Sequence, residues 1–361
     1  MSIIQTVIKN RRLLSKIALA ASVTGSLIIG SYSTLPAAAS TRDKWLWPFS
    51  STSPWNMPIG SGAQYKPANI QSAYFAGADE EYFYKVNAKD PVRSIYSPGA
   101  WGPGRCTGTY SQGTMQISDN VIMPDATTTS TPNNLSAFLM PDGETLMQLS
   151  PLARCSAGGN VYGWRTTPDV SIYGNGIPGG HGGSGLSSIG GDIRLGELTS
   201  TTPIQHALKI NLWAQKYLYY SGSNPGYRWP AQHADNYAAN AYKGTNPSLV
   251  QGTLLAIPPS VTETSLGLQT PAGHKLFSAL QNYGGYVVDD TAWDADALSV
   301  EHGVLDQFRN TYNYDFQCTS GSFYNDYMKL FKALAIVDNN GPNSIGGGGN
   351  PRAPLAPAIG N

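Results

Sequence analysis

Apolar and polar positions alternate at a period of two in separate short stretches of this chain, the pattern of strands with one buried face. Tyr82-Phe83-Tyr84-Lys85-Val86 is a strand signal, and residues 114–123 contain alternation around Met115, Ile117, Val121 and Ile122. The clearest hairpin lies at 134–149, where Ala137-Phe138-Leu139-Met140 and Thr145-Leu146-Met147-Gln148-Leu149 flank Pro141-Asp142-Gly143-Glu144. Asp-Gly between two apolar runs supplies the positive φ that a tight hairpin needs. At 204–212 the alternation puts Ile204, His206, Leu208, Ile210 and Leu212 on one face, with Gln205, Lys209 and Asn211 on the other. That predicts a strand with His206 looking inward, although Pro203 could equally open a helix.

Helical spacing appears late. Thr270 followed by Pro271 is a cap with proline at the first helical position, and Gly284 ends the run through Leu276, Leu280 and Tyr283. A short strand, Tyr286-Val287-Val288, then delivers Asp289 and Asp290. Residues 298–312 and 323–337 read as helices, the second with Leu330, Leu334 and Val337 as its stripe. Many short strands and two or three helices in the C-terminal half predict a β-rich α+β fold with antiparallel sheets, sandwich or jelly-roll-like.

The ends of the chain change the picture. Lys9, Arg11, Arg12 and Lys16 precede an apolar run at 17–29, too short to span a bilayer, and Ala37-Ala38-Ala39 stands before Ser40. Residues 1–39 thus read as a signal peptide, by the Sec or the twin-arginine route, and the protein as secreted, extracellular or periplasmic. No membrane span is expected after its removal. Residues 40–340 are expected to form a single β-rich domain, entered through the proline- and tryptophan-rich stretch at 40–67. The Gly- and Pro-rich residues 341–361 are expected to be a tail, as a surface loop or disordered.

Charged residues are only 13 %, with 23 basic and 23 acidic side chains, while Gly 40, Tyr 21 and Trp 8 are abundant. No basic run follows the leader, so nothing supports a nucleic-acid partner. An uncharged, aromatic-rich exported chain fits a polysaccharide partner, whose C–H faces pack on rings and whose hydroxyls meet amides and phenols. Of Cys106, Cys155 and Cys318, the first two sit in short loops flanking hairpins and are expected to form a disulfide in an oxidising compartment. No CxxC spacing suggests structural zinc, and no cofactor motif is present.

The candidate chemistry is concentrated. All five histidines fall between His181 and His302. His206, His233 and Asp235 carry most weight, because an imidazole near neutrality can be acid, base or metal ligand. Taken singly, His206 reads as a core histidine and His233 as a loop residue. Glu197 is a candidate catalytic carboxylate and Arg194 a planar fork for sugar groups, on opposite faces if 193–198 is a strand. Asp289 and Asp290 at a strand end could serve as acid, base or cation ligand, or merely be turn residues capping the next helix, a cap to which Asp294 and Asp296 more plausibly belong. Tyr227, Arg228 and Trp229 offer a stacking and binding surface. His181 lies in Gly179-Gly180-His181-Gly182-Gly183-Ser184-Gly185, a loop whose backbone can approach a ligand closely but which matches no phosphate loop.

The run from His181 through Ser184-Gly185-Leu186-Ser187-Ser188-Ile189-Gly190-Gly191 to Ile193-Arg194-Leu195-Gly196-Glu197-Leu198, with Ile204-Gln205-His206-Ala207-Leu208 and Trp229-Pro230-Ala231-Gln232-His233, resembles a group of exported bacterial proteins of unassigned activity. Its members tend to show arginine where Gln232 stands here. The resemblance implies export and leaves the reaction open. The residues favour a secreted polysaccharide-degrading enzyme of the glycoside hydrolase type, using carboxylates among Glu197, Asp235, Asp289 and Asp290. The alternatives are a polysaccharide lyase, with His206 or His233 as base and Arg194 or Arg228 holding a uronate, and a non-catalytic carbohydrate-binding or cell-wall-associated protein. A metal-dependent hydrolase using His181, His206 and His233 is a further option.

Overall fold

Backbone hydrogen bonding ties nearly all the strands into one sheet. The computed structural model describes residues 41–360, so the leader assigned to 1–39 lies outside the described residues. The N-terminal part contains β1 (Thr41–Arg42), β2 (Tyr65–Pro67), β3 (Phe75–Lys85), β4 (Val92–Tyr96), β5 (Ser111–Gln116), β6 (Ser136–Leu139), β7 (Thr145–Ala153), β8 (Val161–Arg165) and β9 (Val170–Ser171). The remainder runs β10 (Leu208–Leu212), α1 (Ala238–Ala241), β11 (Leu254–Ala256), α2 (Glu263–Leu266), α3 (Pro271–Asn282) and β12 (Gly285–Asp290). It ends with β13 (Ala295–Glu301), α4 (Val304–Tyr312), α5 (Ser322–Ala333), β14 (Ala335–Val337) and β15 (Ala358–Ile359). The 13-stranded sheet has the order β2-β14-β11-β12-β10-β13-β3-β6-β7-β8-β4-β5, with β9 on β7, while β1 and β15 pair separately.

The β-rich α+β class read from the pattern is the class observed, and the sheet is largely antiparallel. It is nevertheless mixed: β3 runs parallel to both β13 and β6, and β10 parallel to β12. The hairpin at 134–149 forms as β6 and β7, with Gly143 at φ 69. The Thr270 cap is also present: its side chain accepts from Gly273 N, and Pro271 opens α3.

Other expectations change. Residues 298–301 belong to β13 rather than to a helix, and only 304–312 is helical. Gly303 at φ 93 separates the two elements. The helix expected to reach Val337 stops at Ala333, and 335–337 add to the sheet as β14. Strand β10 begins at Leu208, which leaves His206 in the loop before it. Residues 193–198 form turns around a single bridge from Ile193 to Val300, so the opposite-face placement of Arg194 and Glu197 does not arise.

The two faces of the sheet are covered differently. On one, Ile210, Leu212, Leu298 and Val300 meet Leu276, Leu280, Leu330 and Phe331 of α3 and α5, and Phe308 of α4. On the other, Ala256, Tyr286 and Val288 lie under Trp45, Phe49 and Trp55 of the entry segment and under Leu186 and Ile189 beyond the glycine loop. The C-terminal stretch docks on the same entry segment: Gly60 bridges to Pro351 and β15 pairs with β1. The Cys106–Cys155 disulfide is formed, and Cys318 is free. Among the described residues no helix is long and apolar enough to cross a membrane.

Candidate functional site

Four adjacent strands on the loop-covered face make the floor of a cavity of about 1140 Å³. Across them one row reads Asp289 on β12, Asn211 on β10, Ala297 on β13 and Gly77 on β3. Alanine and glycine at the last two places leave a depression, with Asp289 and Asn211 standing beside it. A bulge sets this row. The pairing runs Ile210 with Val287 and then Asn211 with Asp289, so Val288 is an extra residue on β12. Tyr286 and Val288 already face the loop-covered side; regular alternation would turn Asp289 toward the helices. The bulge re-aims it onto the cavity.

His181 comes down on this floor from the glycine loop, which is closed by Gly185 N donating to His181 O (2.7 Å) and His181 N donating to Leu186 O (3.1 Å). The loop sits so close that a Cβ on Gly183 would fall 2.5 Å from Asp289 Oδ1. The buried imidazole places Nδ1 3.1 Å from Asp289 Oδ2 and Nε2 3.2 Å from Glu81 Oε1. Behind it Lys209 Nζ lies 2.7 Å from Glu81 Oε2 and 2.8 Å from Asp192 Oδ2, all four side chains being enclosed. Burial opposes the imidazolium, but Asp289 and Glu81 outweigh it and His181 is pushed up to about 9. Burial likewise opposes charge on Glu81, yet Lys209 and His181 hold its carboxyl below the ordinary value. Asp192, buried and beside the Glu81 charge, is raised well above its own.

Two further carboxyls flank Asp289. Asp79 is driven up to about 7 by burial and by the charges of Glu81 and Asp289. Asn133 Nδ2 donates to its Oδ2 at 2.8 Å and reaches Asp289 Oδ2 at 3.5 Å, which ties the two acids together. Asp235 is also pushed up to about 7, by burial and then by Asp289. It is positioned from behind, as Gln251 Nε2 donates to Tyr242 Oη (2.9 Å) and Tyr242 Oη donates to Asp235 Oδ2 (2.6 Å). Asp290 accepts from the backbone of Ala214 and Ala292, both at 2.8 Å.

Aromatic rings form the upper walls. Trp101 and Trp164 stack with centroids 6.3 Å apart, and Phe75 lies against Trp293 at 5.1 Å. The three indoles are 45 %, 47 % and 47 % exposed, so their faces are open to a ligand.

The structure sorts the candidates read from sequence. His181, His233, Asp235, Asp289 and Asp290 come together at this cavity. Tyr227, Arg228 and Trp229 do not line it; Arg228 instead donates to Asp338 O at 2.8 Å. Arg194, Glu197 and His206 gather elsewhere, at a pocket of about 290 Å³ beside Trp47. There His206 Nε2 is 3.1 Å from both Glu197 carboxylate oxygens, and Nδ1 is 2.9 Å from Ala207 O. Arg194 Nε donates to Glu301 (2.9 Å) with its guanidinium over Trp45 and Phe83. Arg194 Nη1 also donates to Trp45 O, so this guanidinium fastens the entry segment to β13. His181, His206 and His233 therefore do not share a site, and among the described residues no group of three or more His, Cys, Asp and Glu is arranged to hold a metal ion. Asp296, expected in a helix cap, is instead in β13 and fully buried.

Sequence reasoning missed Asp79, Glu81, Asn133 and the aromatic pairs. A signal existed for the first two: Asp79 and Glu81 sit two apart in a strand behind Ala76-Gly77-Ala78, small residues followed by acids on one face. Compared with family models, curated proteins and solved structures, the chain matches none.

Proposed function

We propose that this protein is a secreted polysaccharide-degrading enzyme of the glycoside hydrolase type, working in the cavity above Asp289. The observation that supports this most is the juxtaposition of carboxyls with raised affinity for a proton and a carboxylate paired to His181, beneath open indole faces. Glycoside hydrolysis needs one carboxyl that still carries its proton near neutrality and a second that does not. Asp235, on a loop beside the cavity, suits the acid: it donates its proton to the glycosidic oxygen as the C–O bond breaks. Asp289 suits the opposite partner, either drawing a proton from attacking water or bonding to the anomeric carbon. His181 and Glu81 orient it from below, and Asp79, its proton affinity raised by burial, is joined to it through Asn133.

The lyase alternative has less support, because Arg194 and Arg228, the guanidinia expected to hold a uronate, lie away from the cavity. Export rests on the leader pattern and accords with the disulfide. The test is a panel of polysaccharides assayed for new reducing ends and for the absorbance of unsaturated uronates. Reducing ends alone are expected, lost on Asp235→Asn and Asp289→Asn by about a thousandfold. Unsaturated product would make it a lyase, and binding without either product would make it a carbohydrate-binding protein.

A further inference from the structure

Lys209 and Asp192 take no part in the chemistry of the cavity, yet both are enclosed together with Glu81 behind His181. Three stretches of fixed backbone present them. Glu81 belongs to β3 and Lys209 to β10. Asp192 is clamped from both sides, as Lys209 N donates to Gly191 O (3.0 Å) and Ile193 N donates to Ser299 O (3.1 Å). Trp55 packs against the cluster: a Cβ on Gly191 would fall 2.5 Å from the indole Cζ3 and 3.1 Å from Lys209 Cγ, so ring and lysine stem both close on that glycine.

Lys209 Nζ donates to Glu81 Oε2 at 2.7 Å and to Ser188 O at 2.9 Å. It also stands 2.8 Å from Asp192 Oδ2, but this third contact is not aligned as a hydrogen bond, and neither oxygen of Asp192 has a hydrogen-bond partner. A buried ion pair offsets its desolvation through well-formed bonds to both charges, and Asp192 has none. Burial and the Glu81 charge favour its protonated form instead. The enclosure thus holds an amine, a carboxylate that accepts from it, and a second carboxyl whose carbon lies just beyond the oxygen touching the amine.

We propose that Lys209 and Asp192 join through an amide between Nζ and Cγ, an internal cross-link that the folded chain makes in itself. Glu81 takes a proton from the ammonium, and the freed electron pair of Nζ attacks Asp192 Cγ. Glu81 then passes a proton to the departing hydroxyl and recovers one from the nitrogen, so the C–O bond breaks, the C–N bond stays and one water leaves. Of the three ammonium protons, one remains on the amide, one on Glu81 and one in the water. The Lys209 and Glu81 charges disappear together, and His181 keeps Asp289 as its counter-charge. Partners held in place reach effective concentrations of about 10⁵–10⁸ M, and the dry enclosure opposes hydrolysis of the product. The cross-link does not depend on the hydrolase reading.

The test is peptide mapping of the whole protein by mass spectrometry after reduction and tryptic digestion. The expected species joins residues 166–194 to 195–216, uncut after Lys209 and lighter than the two peptides by one water. Lys209→Arg and Asp192→Ala should lack it. Glu81→Gln should lack it too while keeping a native near-ultraviolet dichroism spectrum; the wild-type map decides should the variants fold poorly. Release of residues 210–216 as a free peptide in full yield would overturn the proposal, as would a link from Lys209 to Glu81.

Discussion

His181 Nδ1 lies 3.1 Å from Asp289 Oδ2 because two local irregularities meet: the β12 bulge turns the carboxylate onto the loop-covered face, and the glycine loop lowers the imidazole onto it. Neither feature is a property of one segment. Each is built by backbone that must fit against the other.

That contact makes stability depend on pH. The His181 value is raised from 6.5 to about 9, burial opposing the charge and Asp289 and Glu81 outweighing it. Its contribution is complete below about 6.5 and is lost as pH rises through about 9. His181→Ala should cost about 3 kcal/mol near neutrality, since it removes the cation facing Asp289 and leaves Glu81 with Lys209 as its partner, and should flatten the decline between these pH values. Denaturant titrations across that range measure both effects.

The loop's closeness can be probed with adjacent glycines. A Cβ at Gly183 would meet Asp289 Oδ1 at 2.5 Å and Gln251 Nε2 at 3.0 Å, whereas one at Gly182 meets nothing within 4 Å. Gly183→Ala should displace Asp289 and abolish glycan turnover, and Gly182→Ala should leave it near wild type. Comparable activity in the two variants would show that Asp289 need not sit where it does.

Removal of an open indole should separate binding from chemistry. Trp101→Ala and Trp164→Ala remove half-exposed rings, so stability should fall by about 1–2 kcal/mol through the half that is buried. KM on a polysaccharide should rise roughly tenfold for each, with kcat little altered. A collapse in kcat at constant KM would argue against a platform role.

Asp296 carries a penalty of the opposite kind. It is wholly buried with both oxygens unpartnered, and burial pushes it from 3.8 up to about 8. The folded state therefore loses stability as pH rises from about 4 to about 8. Asp296→Asn should stabilise the protein by about 5 kcal/mol at pH 8 and by little at pH 4. Thermal melts at the two pH values test the difference.

Reduction should lower global stability. The Cys106–Cys155 bridge closes a separation of 49 residues, so opening it should lower stability by about 4 kcal/mol. Melting with and without reductant, with Cys318→Ser as background, measures that loss.

The sequence by itself determined the elements whose signals are local. Asp142-Gly143 supplies the hairpin's positive φ, and Thr270-Pro271 caps and starts α3 through groups a few residues away. It also marked the stretch holding His181, Asp235 and Asp289, because polar groups in glycine-rich or strand-end settings stand out from an apolar background. Only the tertiary structure decided which of these residues meet. His206 and Glu197 pair with each other in the smaller pocket beside the entry segment, while His181 finds partners in Glu81 and Asp289, from strands 100 and 108 residues away along the chain. A parallel pairing such as β13 with β3 leaves no turn signature, and an extra residue in β12 reverses the facing of Asp289 without altering its hydropathy pattern. Long-range strand pairing and that one-residue bulge, rather than the identity of any single side chain, place the acids under the tryptophans.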